Sequence, residues 1–506
     1  MSSRETLPKT VGELRSSGWK AVPVKEEMRR NLIRRLKAKE PLLPGIIGYD
    51  KTVLPSLRNA ILARHDFILL GLRGQAKSRI LRALTGFLDE RVPVVEGCEI
   101  NDDPLAPLCK RCRRLAVERG DALPVAWLGR EERFREKLAT PDVTMADLIG
   151  DVDPIKAASE RRSLSDEEVI HYGLIPRTHR GIFAINELPD LQTRIQVGLL
   201  NIMEERDVQI RGFPIRLPLD VCIVYSANPE DYTNRGTIIT PLRDRIDSQI
   251  MTHYPATLED GMAITTQESW VARTGAPATK IPRLLRELVE SVAFAARKST
   301  FVDQSSGVSA RLTIAALENV VSNAEHRAIL NGEATVVPRV CDLYAALPAV
   351  TGKIELVYEG EQEGPAAVSR RVLGDAVQQL FSRYFPNATP PKPKSRRPSP
   401  EVPLKGSKDT AAEETIYKPV MDWFAKGNKV ELTDQMPAAD YARALDKVDG
   451  LRDLATKHLK PEGDGEVALA MEFTLEGLHQ HSLVAREEID SKVSYRDMLR
   501  QMFESL

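Results

Sequence analysis

Residues 66–78 read Asp-Phe-Ile-Leu-Leu-Gly-Leu-Arg-Gly-Gln-Ala-Lys-Ser, and this stretch decides the fold. The apolar run Phe67 to Leu70 predicts a buried strand that delivers the chain to a sharp turn at Gly71. Backbone amides from Gly71 through Gly74, Gln75 and Ala76 can then curl around a phosphate. Lys77 can reach the β and γ oxygens, and Ser78 can hold Mg²⁺. The run from Ser78 to Leu88 has helical apolar spacing, so a helix N-terminus also faces the anion. The usual pattern is G-x-x-x-x-G-K-[ST], and Ala76 stands where its second glycine belongs. An alanine fits there with negative φ, Gly74 supplying slack two residues earlier. A chance Gly-rich turn does not require strand, loop, Lys-Ser and helix in this order. The expected ligand is a nucleoside triphosphate.

The chain has 506 residues, enough for about three domains with adequate cores. Lys plus Arg number 71 against 72 Asp plus Glu, a net charge of −1, so nothing global points to nucleic acid or a membrane. No apolar run is long enough to cross a bilayer, and Met1-Ser-Ser-Arg-Glu5 lacks the apolar core of a signal peptide. A cytoplasmic location is expected. Five cysteines do not make a disulfide framework in so long a chain, which suits a reducing compartment.

Working outward, strand-like runs recur at 67–70, 92–95, 181–185 and 221–225, separated by helical or charged stretches. That alternation predicts an α/β fold, a parallel sheet covered by helices. Residues 1–40 read as a helical extension, with Met28, Leu32, Ile33 and Leu36 forming one apolar stripe. Its Lys and Arg residues read as a solvated face rather than a nucleic-acid arm. The nucleotide domain is placed at 41–255, and a helical lid at 256–385, with helices over 284–296, 310–324, 340–347 and 370–384. Residues 386–411 are rich in Pro, Lys and Ser and read as an extended linker, followed by a small helical module at 412–506.

Hydrolysis needs more than a phosphate loop. Gly181 to Leu188 reads as a buried strand ending in Asn186-Glu187. Glu187 can polarise a water against the γ-phosphate as a general base. Asn186 stands where an Asp ordinarily helps to order Mg²⁺; its amide can bond a metal-bound water but adds no charge. A second strand, from Val221, ends at Asn228-Pro229, and Asn228 is suited to orienting the attacking water. Thr240-Pro-Leu-Arg-Asp-Arg-Ile-Asp247 then carries Arg243 and Arg245. A guanidinium offered to a neighbour's γ-phosphate stabilises charge in transfer. Arg311, at the start of an apolar helix after Gly307-Val-Ser-Ala, can reach phosphate from the helical domain.

Strand and phosphate loop, Asn-Glu, Asn-Pro-Glu, Asp-Arg-Ile-Asp and a helical lid opening on Ser-Ala-Arg resemble, in that order, the AAA+ ATPases. The nearer resemblance is to the magnesium-chelatase ATPase subunit and the MoxR-like clade. Three strings carry it: Gly173-Leu-Ile-Pro-Arg-Thr-His-Arg-Gly181, Ser226-Ala-Asn-Pro-Glu230 and Pro241-Leu-Arg-Asp-Arg245. The segment Asp147 to Lys156 occupies the place of the family's helix-2 insertion. The resemblance covers about residues 40–385. It implies an ATP-driven homo-oligomer, usually a hexameric ring, with Arg245 acting across the subunit boundary. By the same resemblance Lys77 and Ser78 are Walker A residues, Glu187 Walker B, Asn228 sensor 1 and Arg311 sensor 2. Ala76 and Asn186 depart from the family pattern and bear on catalytic rate more than on binding. The family commonly acts on a partner with a von Willebrand A domain, none being visible in this sequence, and chelation proper needs a separate porphyrin-binding subunit. Two other readings remain open at this point: a nucleotide-gated scaffold that hydrolyses poorly, and a sigma-54-type transcriptional regulator. For the latter, the Gly-Ala-Phe-Thr-Gly-Ala string is missing between 78 and 187, and the tail shows no basic stripe.

Cys98, Cys109 and Cys112 place three of the five cysteines in a short stretch. A C-x₂-C pair with a third cysteine upstream suits a thiolate site for Zn²⁺, with Asp102, Asp103 or an external group as fourth ligand. Reduced structural thiols are the alternative. Cys222 and Cys341 lie in apolar runs and read as core residues.

Overall fold

Five strands make the central sheet: β1 (Phe67–Leu70), β2 (Phe134–Leu138), β3 (Gly181–Asn186), β4 (Val221–Ala227) and β5 (Ser248–Met251). In the computed structural model they run parallel in the order β5-β1-β4-β3-β2. Described are residues 7–159, 161–164, 166–205, 207–208, 210, 217–229, 237–388, 408–489 and 492–498. Met1–Glu5, Glu230 of the Asn-Pro-Glu string and most of the linker expected at 386–411 lie outside them.

Every residue of β1, β3 and β4 is buried, as continuous apolar strands covered on both faces must be. Their side chains alternate between two cores, following the two-residue period of a strand. Phe67, Leu69, Ile182, Ala184, Cys222 and Val224 join one core, with Val24, Met28 and Leu32 of the helix Val24–Ala38 and Leu57 and Ile61 of the helix Val53–Ala63. Ile68, Leu70, Phe183, Ile185, Ile223 and Tyr225 join the other. The α/β fold expected from the sequence, a parallel sheet covered by helices, is thus present, and the N-terminal helix is packed into it. Two buried ion pairs fix that helix. Lys25 Nζ lies 2.7 Å from Asp66 Oδ2, and Arg133 grips Glu27 through two bonds of 2.7 and 2.6 Å. Leu36, which the stripe reading put on the apolar face, is exposed.

One strand reading needs correction. Arg91–Val95 is a strand, but it pairs antiparallel with Val125–Gly129 in a separate ribbon. The central sheet's edges are instead β2, Phe-Arg-Glu-Lys-Leu, and β5, Ser-Gln-Ile-Met. Edge strands are covered less and carry polar residues, so neither stands out as an apolar run. The expected insertion at 147–156 includes a strand, Gly150–Val152, paired antiparallel with Ile170–Tyr172, and the helix Pro154–Ser159.

The chain divides into two compact units, Met1–His253 and Tyr254–Leu506. In the second, the helices Arg283–Ala296, Arg311–Asn331 and Pro365–Tyr384 match the predicted ones closely. The helix expected at 340–347 breaks into Val340–Ala345 and Leu347–Thr351, with Pro348 near the start of the second, where its missing N–H costs least. The tail is not wholly helical. Val430–Thr433, Lys492–Asp497 and Val484–Ile489 form an antiparallel sheet in that order. Residues on both sides of the linker region, from Leu285 to Tyr495, share one hydrophobic core.

Candidate functional site

Parallel strands end at a common edge, so β1, β3, β4 and β5 all deliver their next residues to one side of the sheet. The register pairs Leu70 with Ala227 and Met251, and Tyr225 with Ile185. Gly71, Glu187, Asn228 and Thr252 are therefore neighbours by topology.

A side chain at Gly71 would run into Thr252 Oγ1 and Gln75 Oε1, which would have to give way. Thr252 Oγ1 donates to Gln75 Oε1 at 2.7 Å, and Tyr49 OH donates to Gln75 O at 2.9 Å. These bonds seat the loop against β5 and the segment before the helix Val53–Ala63. Gly74 has φ +74° and Ala76 φ +58°. The sequence reading had Ala76 at negative φ; the structure puts it in the left-handed region. That is the conformation for which the usual pattern supplies glycine, and a non-glycine residue there is strained.

Lys77 opens the helix Lys77–Ala83 and is 7% exposed. Its Nζ donates to Gly71 O, to Leu72 O at 3.1 Å and to Asn228 Oδ1 at 2.5 Å. The other end of that amide, Asn228 Nδ2, donates to Glu187 Oε2 at 2.9 Å. Lys77, Asn228 and Glu187 thus form one hydrogen-bonded array across β1, β4 and β3. Glu187 has φ +55°, a turn that carries its side chain away from the strand direction. Its N–H lies 3.4 Å from Ser226 Oγ, which in turn donates to Asn186 Oδ1 at 3.1 Å. Asn186 Nδ2 donates to Glu136 Oε2 at 3.3 Å. Ser78 is half-buried at the second position of the helix. The Ser78 hydroxyl, the Asn186 amide oxygen and the Glu187 carboxylate are hard oxygen donors, the kind Mg²⁺ takes.

Arg245 ends the short helix Thr240–Arg245. Its guanidinium pairs with Glu204 at 2.6 Å and donates to Pro241 O at 3.0 Å. No described hydrogen bond joins it to the Lys77–Asn228–Glu187 array. Arg311 is exposed at the first turn of Arg311–Asn331, in the second unit. Sequence reading missed Tyr49, Thr252, Ser226 and Glu136. Recognising β5 would have pointed to Thr252, the residue after its last position, and Ser226 precedes Asn228 in the string already singled out.

In the first unit Cys98, Asp102, Cys109 and Cys112 come together, their ligand atoms all within 4.8 Å of one another. Hydrogen bonding from Cys109 and Cys112 holds the Cys98 thiol down at about 3, while bonding to Cys112 and Cys98 pushes Cys109 up. Beside them Asn101 Nδ2 donates to Arg177 O at 2.9 Å. Farther along the same segment, His179 Nδ1 accepts from Asp220 N at 2.9 Å.

No family model matches the chain. It is 29% identical over 198 residues to the magnesium-chelatase subunit ChlI homolog of Methanocaldococcus jannaschii. The match takes in 38% of this chain and 51% of the relative, so the chain spans about half the length of the curated relative it matches. Among solved structures, the complex between BchI and BchD of magnesium chelatase aligns at 20% identity and TM-score 0.34, over 63% of this chain and 97% of that one. A putative ATPase from Cytophaga hutchinsonii aligns at 17% identity and TM-score 0.28, over 71% and 97%. NtrX from Brucella abortus in complex with ADP aligns at 13% identity and TM-score 0.32, over 62% and 53%.

Proposed function

We propose that this chain is an AAA+ ATPase of the magnesium-chelatase type, which binds ATP with Mg²⁺ at the edge where β1, β3 and β4 end and hydrolyses it as part of a ring. The observation that carries the reading is the Lys77–Asn228–Glu187 array. A buried ammonium, a carboxamide and a carboxylate, held by three adjacent parallel strands, fit the needs of phosphoryl transfer, which are positioning and charge stabilisation.

In this reading the amides of Gly71 to Lys77 cradle the phosphates, and Lys77 exchanges its carbonyl partners for β and γ oxygens. Little water surrounds Lys77, so its charge acts at low effective dielectric. Glu187 takes the proton of the attacking water while Asn228 fixes the carboxylate's orientation. Ser78 and Asn186 would hold Mg²⁺, which supplies charge neutralisation at the phosphates when bound. Asn186 brings no charge to that task, so weak metal affinity is expected. Arg245 would leave Glu204 to meet the γ-phosphate of the adjacent subunit. Exposed ion pairs contribute only about 0–1 kcal/mol, so breaking that one costs little. Arg311 would sense phosphate from the lid. Remodelling of a partner protein, one with a von Willebrand A domain, follows from the family likeness alone.

Equilibrium binding of a fluorescent ATP analogue, with and without Mg²⁺, tests the site in wild type and Lys77→Ala. Micromolar binding lost in the variant, together with Mg²⁺-dependent phosphate release by wild type, supports the reading. Equal binding by both proteins would refute it.

A further inference from the structure

Residues 96–109 contain no helix or strand, an uncommon length for a loop inside a compact domain. Yet part of this loop is deeply buried: Asp102 is 0%, Asp103 6% and Cys109 6% exposed. Cys112, in the first turn of the helix Lys110–Arg119, is 0% exposed. Something must compensate for burying a carboxylate there.

Backbone geometry already treats two of the sulfurs as acceptors. The N–H of Asp102 donates to Cys98 Sγ at 3.4 Å, and the N–H of Cys112 donates to Cys109 Sγ at 3.4 Å. Such bonds fix the direction of the sulfur lone pairs, and Cys109 also caps the N-terminus of the helix Lys110–Arg119. Asp102 is anchored by one oxygen only. Oδ2 accepts from Cys109 N at 2.9 Å, while Oδ1 is buried without a hydrogen-bond partner. A buried unpaired carboxylate oxygen costs free energy unless a cation meets it. The three sulfurs and a carboxylate oxygen lie within 4.8 Å of one another, close to the spacing that tetrahedral bonds of about 2.0–2.3 Å require.

We infer that Cys98, Asp102, Cys109 and Cys112 form a Zn²⁺ site. Three thiolates and one carboxylate suit a borderline-soft cation that prefers tetrahedral coordination. Four protein ligands leave no open position, so the site is structural. Binding releases the thiol protons and pins the loop 96–109 to the helix Lys110–Arg119 and, through Asn101, to the segment at Arg177. That segment leads into β3 and so to Glu187, although the zinc assignment does not depend on nucleotide binding.

Metal content of the full chain, purified without added zinc or chelator, tests this by mass spectrometry. The expected result is about one zinc per chain, released on titration with a mercurial thiol reagent and read with a chromogenic chelator. Cys112→Ser is expected to lose the metal. Asp102→Asn is expected to raise the zinc dissociation constant at least about tenfold. Should Cys112→Ser fail to fold, cobalt substitution of wild type gives a second readout, the visible bands of tetrahedral thiolate coordination. Three freely titratable thiols with no metal would overturn the inference, as would iron with its own visible chromophore. Zinc bound with unchanged affinity by both Cys98→Ser and Asp102→Asn would do so too.

Discussion

Asn228 donates to Glu187, Nδ2 to Oε2, at 2.9 Å. The same side chain accepts from Lys77, so the proposed base is held by the group that also holds the phosphate-loop lysine. Nucleotide that draws Lys77 toward its phosphates would change the partners of Asn228 and free Glu187 to meet water. Binding and activation of the base are then linked through one amide.

Glu187→Gln should keep an amide oxygen that accepts this bond from Asn228 Nδ2 while removing the base. The expected outcome is ATP affinity within about threefold of wild type and turnover lower by about 100-fold or more. Steady-state phosphate release beside equilibrium binding measures both. A variant that turns over at the wild-type rate would remove Glu187 from the mechanism.

Ala76 sits at φ +58°. Relief of left-handed strain, less the extra chain entropy of glycine, predicts that Ala76→Gly stabilises the first unit by about 0.5–1 kcal/mol. Urea unfolding midpoints compare the two proteins. An unchanged or lower midpoint would mean that the loop relaxes at no cost.

The phosphate loop, Glu187 and Asn228 were legible because buried apolar strands ending in polar residues are conspicuous against helical surroundings. Edge strands were not, since β2 and β5 alternate polar residues and look like loop. That loss hid Thr252, which closes against Gln75 beside Gly71. Nor could sequence tell that Ala76 keeps the glycine conformation despite having a Cβ. The cysteine spacing announced a metal site with three ligands. Only folding selects Asp102 over Asp103, by leaving one Asp102 oxygen buried and unpartnered. The linker region separates segments that nonetheless share a core, because Phe381 meets Tyr417 and Phe473 through contacts that composition does not encode.

Glu472 makes the second unit pH-sensitive. Burial raises its carboxyl to about 7, from a usual value of 4.5, against the opposing bonds from Tyr441 and Val340 N and the charge of Arg339. The folded state therefore holds a proton that the unfolded state has released, and stability falls as pH rises between those values. The loss from pH 5 to pH 8.5 should reach at most about 3 kcal/mol. Urea titrations across this range should show the slope in wild type and a flatter one in Glu472→Gln. Equal slopes would assign the effect elsewhere.

A catalytic site completed by the adjacent subunit makes subunit mixing the decisive experiment. Arg245→Ala and Glu187→Gln proteins should each be nearly inactive, Arg245→Ala by about 1,000-fold or more. Mixed in equal amounts, they should recover a substantial fraction of wild-type ATP hydrolysis, because some interfaces then pair an intact Glu187 with an intact Arg245. Recovery that grows with protein concentration is the predicted result. Full activity in Arg245→Ala alone, or no recovery on mixing proteins that do co-assemble, would contradict it.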